Sequence, residues 1–536
     1  MIEYQRGGRV AATVVFTFLI IVSSPLSADW LTFGHDPQRS GCAFDENAIT
    51  TENAGTMALQ WAVQLDNAPL SLTSLMPPVV ARDVITPEGI KTLVYAAGSS
   101  DRLFAVDAAS GKVVWSRDFQ TYGKAKAEPF YLCSNSINAT PSIDRSRNTI
   151  YVIASDGRVY GLDLGAGSIK FGPFQLVPPF AKPWSLNFYD GVIYTTTSQG
   201  CGGDRSGIYA MNVRDPMHPV IHELLVRRGY GGGMWNRGGT AIGANGRLYV
   251  STGDGKFDPS TGDFGNSFLA TSTPNVRLLD YYTPRNWREI NRLDLDLPSG
   301  GIVWFAHKNR SLIAGSGKQA VIYVLDADSL GGEDHHTPLY TTPRLANDEL
   351  TFEAKGIWGS PAVWTDVDGE TWLYVTVWGP LAERMPKFEV TNGPAPHGSI
   401  LAFKVMDDPA DAIRLEPAWI SPDMNLPDPP VIANGVMFAL ATGENPRQTR
   451  VATLKHFKSE QEWKNNLLTN EDRAQGTFPA VLKALDARTG KLLYQSGDAM
   501  KSWVHFSGLA VDNGRVYAVD HSSRLYCFGV KEKPQE

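Results

Sequence analysis

Cysteine is scarce in this chain, with four in 536 residues. Cys42, Cys133, Cys201 and Cys527 stand far apart, so there is no C-x-x-C-H haem attachment site and no zinc-type spacing. A basic excess is also missing. The formal charge is −7 and no Lys/Arg run is interleaved with aromatics, which argues against a nucleic-acid partner. Long helix-period stretches are absent too, and the one helical candidate is Gln448–Leu468. The apolar run at Ala11–Val22 has twelve residues, too few for a comfortable membrane span.

That apolar run sits in the setting of a targeting segment. Arg6 and Arg9 precede it, and small residues from Ser23 to Ala28 follow, with cleavage expected after Ala28. Residues 1–28 are therefore expected to be a signal peptide, an uncleaved anchor being the alternative. The expected mature protein, 29–536, is periplasmic or secreted and has no membrane span after cleavage. No cysteine follows the cleavage point directly, so lipid attachment is not expected. In an oxidising compartment cysteines pair by default.

Glycine (51), proline (34) and tryptophan (14) are plentiful instead, and 43% of residues are hydrophobic, as in a packed protein with many tight turns. The dominant pattern is a repeated unit: an alternating apolar strand, a polar turn, a strand ending in Asp, then Gly, then an aromatic strand. It reads TLVYAAGSSDRLFAVDAASGKVVWSRDF from Thr92 and NTIYVIASDGRVYGLDLGAGSIKFGPF from Asn148. Degenerate copies start at Gly191, Gly246, Ser311, Thr371, Gly435 and Gly514, giving eight in all. Period-two alternation makes half-buried strands, and D-G, N-G and S-G dipeptides make hairpin turns. Asp107, Gly111 and Trp115 place an aromatic where neighbouring sheets stack.

Stacked units of this kind extend one body, whatever the length. The expected fold is all-β, a single eight-bladed β-propeller of four-stranded antiparallel blades. The last unit ends at Val530 without an outer strand, and the segment around Leu59–Leu65, with Trp61, is expected to supply it from the N-terminus and close the ring. The seventh unit carries an insertion at 443–478.

In a propeller, the loops entering the innermost strands and those joining second to third strands converge on one face. The predicted entries carry Trp184, Trp235, Asn236, Arg237, Trp358, Trp503 and His505. Aromatic faces with a few polar groups suit a flat ligand, and otherwise plug the propeller mouth. Asp254, Asp258, Asp263 and Asn266 read as a solvated acidic turn more readily than as a calcium loop. His335-His336 is expected at the rim or on the opposite face.

GGGMWNRGGTAIGANGRLYVSTGDG, Gly231 to Gly255, resembles the fourth blade of the pyrroloquinoline quinone (PQQ)-dependent alcohol dehydrogenases. The resemblance implies that Trp235 stacks on the quinone, with Asn236 and Arg237 beside it, and that Asp254 is a calcium ligand in place of the family's Asn. YYTPRNWREINRLDLDLPSG is similar to the stretch bearing the catalytic Asp, which implies Asp294 or Asp296. AGSGKQAVIYVLDADSLGG implies a quinone contact from Lys318, and KGIWGSPAVW places Trp358 at the cofactor rim, with Trp184 in the same mouth.

Two departures stand against this. The family's adjacent Cys-Cys pair is absent, and where its metal-binding Glu belongs the chain reads Gln199-Gly-Cys201-Gly-Gly-Asp204-Arg205. Gln199 or Asp204 could substitute. A Cys133–Cys201 disulfide is expected instead, both residues falling on the same face of adjacent blades, and Cys42 with Cys527 near the ring closure is a second expected pair.

Two functions follow. One is an exported quinoprotein dehydrogenase that oxidises a small-molecule or polymer alcohol with PQQ and calcium and passes electrons to a separate cytochrome c. The other is a non-catalytic PQQ-repeat propeller that binds a protein or polymer partner.

Overall fold

The computed structural model describes Met1 and residues 29–530 apart from 71, 123–131, 204, 227–230, 410–411, 452–461, 463–464 and 506. The expected signal peptide and Asp204 lie outside the described residues, as does most of the helix expected at Gln448–Leu468. Of that stretch, Thr449 and Leu467 pair as an isolated antiparallel bridge, and a short helix, Asn470–Ala474, follows.

Eight small antiparallel sheets follow one another along the chain as an eight-bladed propeller. The first four are Val79–Thr86 to Val113–Asp118, Ser142–Asp144 to Ile169–Gln175, Asn187–Tyr189 to Val220–Leu225 and Ala241–Ile242 to Leu278–Tyr282. Blades 5 to 7 begin at Ile302–His307, Gly356–Ile357 and Val431–Ala433. Blade 8 comprises Ala510–Asp512, Arg515–Val519 and Arg524–Gly529, and its outer strand is Ala58–Gln64 from the N-terminus, antiparallel to Arg524–Gly529. The ring thus closes as its strand pattern predicts, which joins the first and last blades and hides their strand edges. No helix of the described residues is long and apolar enough to cross a membrane.

Aromatic docking joins the blades. The Trp115 ring of blade 1 lies on Gly167 of blade 2, where an added Cβ would stand 2.6 Å from the indole, and its Nε1 donates to Leu164 O at 2.9 Å. Trp61 meets Gly111 and Trp419 meets Gly490 in the same way, each donating to a carbonyl of the next blade at 3.0 Å. Only glycine lets the indole this close, which explains the repeat's Asp-x-x-x-Gly-x-x-x-Trp spacing.

The segment from Trp30 to Glu46 forms a belt that visits all eight blades in order, a feature without strand or helix periodicity. Trp30 pairs with Val80, Leu31 O accepts from Ile143 N, and Thr32 Oγ1 donates to Leu186 O. Pro37, Gln38, Ser40 and Gly41 carbonyls accept from Ile242, Trp304, Val363 and Ile432, and Glu46 accepts from Gly514 N. Arg39, 1% exposed, pins the belt by donating to Thr240 O, Thr32 Oγ1, Phe33 O and Leu186 O.

The belt also corrects one expected cysteine pair. Cys42 lies on the belt beside Ile432 of blade 7, while Cys527 sits in blade 8 opposite Tyr517 and Trp61, and both are free buried thiols. Burial pushes both thiols up, Cys527 to about 12.

Candidate functional site

The entry segments and the loops after the second strands converge on one cavity of about 250 Å³. Its wall takes Asn138 from the entry to blade 2, Lys182 and Trp184 from blade 3, Trp235 and Arg237 from blade 4, and Asp294 and Asp296 from blade 5. Trp358 enters with blade 6 and His505 with blade 8, while Gln199, Asp254 and Lys318 follow second strands and Trp378 ends the strand Thr371–Trp378. Blade 7 contributes Glu444, Pro446, Gln448 and Arg473 from its long connection.

Three carboxylates meet on this wall. One oxygen each of Asp254, Asp294 and Asp296 lies within 4.8 Å of the others. Local structure sets their positions. The helix Trp287–Leu293 ends at Asp294 in a left-handed conformation (φ 52°), and a 3₁₀ turn at Leu297–Gly300 follows Asp296. The Lys318 ammonium donates to Asp294 Oδ1 at 2.6 Å and Asp296 Oδ2 at 2.8 Å. Asp296 Oδ1 accepts from Asp254 N at 2.8 Å, and Asn266 Nδ2 donates to Asp254 Oδ1 at 2.8 Å. Burial, reinforced by the neighbouring carboxylates, holds Asp254 well above the usual carboxylate range, and burial raises Asp294 as well. In Asp296 the Lys318 charge and the hydrogen bonds outweigh burial, so its carboxyl lies below that range. One ammonium against three carboxylates leaves this corner short of positive charge.

Beside the carboxylates stands an aromatic platform. The Trp358 and Trp378 rings stack at 4.7 Å and 10°, and Trp235 lies 5.7 Å from Trp358. Lys318 Nζ sits 5.5 Å and 5.6 Å from the Trp235 and Trp358 centroids.

Another part of the cavity has the opposite polarity. Lys182 Nζ and the Arg237 guanidinium lie 4.8 Å and 5.3 Å from the Trp184 ring, whose Nε1 donates to Ser198 Oγ. Lys182 donates to Leu132 O and Arg237 Nη1 to Asn138 O, and among the described residues neither is bonded to a carboxylate. Arg237 Nε and Asn138 Nδ2 are buried without a hydrogen-bond partner among the described residues. Burial pushes Lys182 down to about 7, helped by the charge of Arg237, and pushes Arg237 down to about 10.

The remaining expected residues divide. Asn236 does not border the cavity. It fastens the loops beneath it, donating to Pro298 O and accepting from Gly238 N and Ser360 Oγ. Cys133 and Cys201 form a disulfide with Cα atoms 5.4 Å apart. Their neighbours Leu132 and Gln199 line the cavity. Asp258 and Asp263 pair with Lys256, and His335 stacks on Tyr281 beside Asp280, all away from the cavity wall. Sequence reasoning missed Glu444 and Arg473. Glu444 Oε1 accepts from Arg473 Nη2 at 3.0 Å and lies 2.8 Å from His505 Nδ1. Their positions in an insertion with no repeat pattern carried no signal.

Comparison with known proteins agrees with this architecture. The family model PQQ_2, described as outer membrane protein assembly factor BamB, matches residues 17–215. A curated relative, quinohemoprotein alcohol dehydrogenase ADH IIB of Pseudomonas putida, is 29% identical over 161 residues, 30% of this chain and 20% of its own. The chain thus matches about a fifth of that relative's length. Among solved structures, quinohemoprotein alcohol dehydrogenase ADHIIG of Pseudomonas putida HK5 superposes with a TM-score of 0.59 at 12% identity, over 95% of this chain and 81% of that one. The Comamonas testosteroni quinohemoprotein alcohol dehydrogenase gives 0.57 at 16% identity, over 95% and 82%. A europium-containing methanol dehydrogenase gives 0.61 at 12%, over 94% and 98%. At such identities the likeness is one of fold. With its eight blades, its repeat and these relatives, the chain is a PQQ-dehydrogenase-like β-propeller.

Proposed function

We propose that this protein is an exported quinoprotein dehydrogenase that oxidises an alcohol with PQQ and a bound cation and passes the electrons to an external acceptor such as a cytochrome c. The observation that carries the reading is the split polarity of one cavity: a carboxylate cluster short of positive charge, a tryptophan platform, and two cations packed on Trp184. PQQ is a flat, anionic ortho-quinone, and each of its parts has a chemical counterpart here.

Trp235 would pack on the quinone plane, with Trp358 at its rim. Lys182, Arg237 and the orphaned Asn138 amide would meet its carboxylates. Asp254, Asp294 and Asp296 form an all-oxygen donor set that suits a hard cation, calcium or one of higher charge as in the europium-containing relative. Cys201, bonded to Cys133, offers no ligand where the family has Glu, and the third carboxylate comes from Asp296. Lys318 would fix Asp294 and Asp296 in direction, keeping Asp296 ionised and opposing the burial that raises Asp294. When bound, the quinone accepts two electrons from the alcohol while the cation polarises its carbonyl.

The test is reconstitution of the purified protein with PQQ and calcium or a lanthanide. A bound-quinone absorption spectrum and dye reduction with a panel of alcohols are expected. Absence of uptake at tens of micromolar PQQ would leave the non-catalytic propeller as the better reading.

A further inference from the structure

We propose that Lys182 is a nucleophilic amine that captures carboxylate-bearing aldehydes and ketones as an imine, with Arg237 and Asn138 seating the carboxylate. The proposal concerns the cavity before any quinone enters it and does not depend on the dehydrogenase reading.

The entry to blade 3 is bent where it meets the cavity. Phe180 and Lys182 both lie in the left-handed region, at φ 62° and 53°, which residues other than glycine keep only where their surroundings hold them. Lys182 stands half-buried on the cavity wall, so a molecule in the cavity can reach its amine. The two lysines of this wall have opposite surroundings. Lys318 donates to two carboxylates, whereas Lys182 donates to the Leu132 carbonyl and lies 4.8 Å from the Trp184 ring centroid. Neither of these partners carries a charge to balance an ammonium. Among the described residues, the one charged group that acts on Lys182 is Arg237, which packs on the same indole and repels it. Burial and that repulsion bring the amine down to about 7. Near neutral pH a large share of it therefore has a free lone pair, the condition for attack on a carbonyl carbon.

Two orphaned donors beside the amine select the ligand. Arg237 is 5% and Asn138 2% exposed, and both border the cavity. Arg237 Nε and Asn138 Nδ2 are buried without a hydrogen-bond partner among the described residues, although Arg237 Nη1 donates to Asn138 O at 3.0 Å and so fixes the two residues together. Asp428, the one carboxylate whose charge acts on Arg237, makes no hydrogen bond to it. Buried donors left unpaired are costly, and a carboxylate accepting from both would remove that cost.

The step is a condensation and needs no oxidant. The amine lone pair forms a C–N bond as the C=O double bond opens, and the carbonyl oxygen leaves as water with the two amine hydrogens. The product is a C=N bond to Lys182 Nζ. On the dehydrogenase reading, carbonyl compounds would be released in this same cavity. The quinone's carboxylates, seated on Arg237 and Asn138, would then shield the amine from them.

The test uses the purified full-length protein with glyoxylate and succinic semialdehyde, which carry a carboxylate, and propionaldehyde, which does not. Cyanoborohydride reduces each imine to a stable amine, and peptide mass spectrometry locates the labelled lysines. At pH 7, Lys182 is expected to be labelled about tenfold or more faster than any exposed lysine, because an ordinary lysine titrates near 10.4. That selectivity should fall about tenfold or more between pH 7 and 9, as the exposed lysines lose their protons and Lys182 has few left to lose. Selectivity due to access alone would not change with pH. At least one carboxylated aldehyde should label Lys182 faster than propionaldehyde, and R237Q should abolish that preference and slow the labelling by propionaldehyde at pH 7. Asn138→Ala should reduce the preference without slowing propionaldehyde, a second variant should R237Q not fold. Labelling of Lys182 no faster than that of exposed lysines, or with a pH-independent selectivity, overturns the proposal. A preference for carboxylates that survives both substitutions overturns the seat assigned to Arg237 and Asn138. PQQ added first should protect Lys182; labelling undiminished by saturating PQQ counts against the quinone's placement and leaves the reactive amine standing.

Discussion

Cys133 and Cys201 are bonded across a sequence separation of 68, tying the entry to blade 2 to a loop of blade 3 beside the cavity. A closed loop of this length removes about 4 kcal/mol of conformational entropy from the unfolded chain. The bridge also holds Leu132, whose carbonyl takes the Lys182 ammonium. The C133S/C201S protein is expected to unfold at a lower temperature than the wild type and to bind PQQ more weakly. Calorimetry and a quinone titration measure the two effects separately. An unchanged melting temperature would show that the bridge does not constrain the unfolded chain as argued.

How far the sequence could be read depended on whether a feature had a period. The blades were legible because short apolar strands such as Leu93–Ala97 recur between polar turns at a regular spacing, and the closing strand at Ala58–Gln64 because Trp61 stands where each repeat has its aromatic. The belt was not, because each of its carbonyls meets a different blade and no spacing repeats. The site shows the same division. Trp235, Asp254, Asp294, Asp296 and Lys318 were found through short motifs, and all five line one cavity. That Lys318 bridges Asp294 and Asp296 follows from loops that fold toward each other from separate turns, which no local pattern encodes. Cys42 and Cys527 looked alike as termini of a closed ring. Their strands belong to blades 7 and 8, and depth within each blade keeps them apart.

Asp428, 1% exposed, gives the fold a pH dependence of its own. Burial raises its carboxyl from 3.8 to about 7 against the pull of Arg237, with Glu444 adding to the rise. The folded chain therefore keeps a proton that the unfolded chain releases between about pH 4 and 7. Stability from this group falls as pH rises through that window and levels off above it. Asn has the same shape and no charge, so D428N should gain stability relative to the wild type as pH increases. The gain should be small near pH 4 and reach a few kcal/mol near pH 8, because each tenfold difference in proton affinity between the folded and unfolded chain is worth roughly 1.4 kcal/mol. Denaturant unfolding of both proteins at the two pH values measures it. A difference between them that does not change with pH would mean that Asp428 ionises in the fold as it does in water.

The carboxylate cluster makes a prediction that needs no quinone. Lys318 Nζ, which bridges Asp294 and Asp296, lies 5.5 Å from the Trp235 centroid and 5.6 Å from that of Trp358, so a cation bound there would be close to two indoles. Terbium bound at this point should therefore emit on tryptophan excitation, and a chelator should abolish the signal. D254N and D294N each remove one anionic oxygen donor and should weaken terbium binding by about tenfold or more. Lys318→Gln should have the opposite effect, because its ammonium now neutralises part of the charge that a metal would neutralise. The two directions together separate a true site from loose attraction to a negatively charged protein, which none of these substitutions would change by more than a small factor. Terbium binding that is equal in all four proteins would place the cation elsewhere and leave Lys318 as the permanent counter-ion of the cluster.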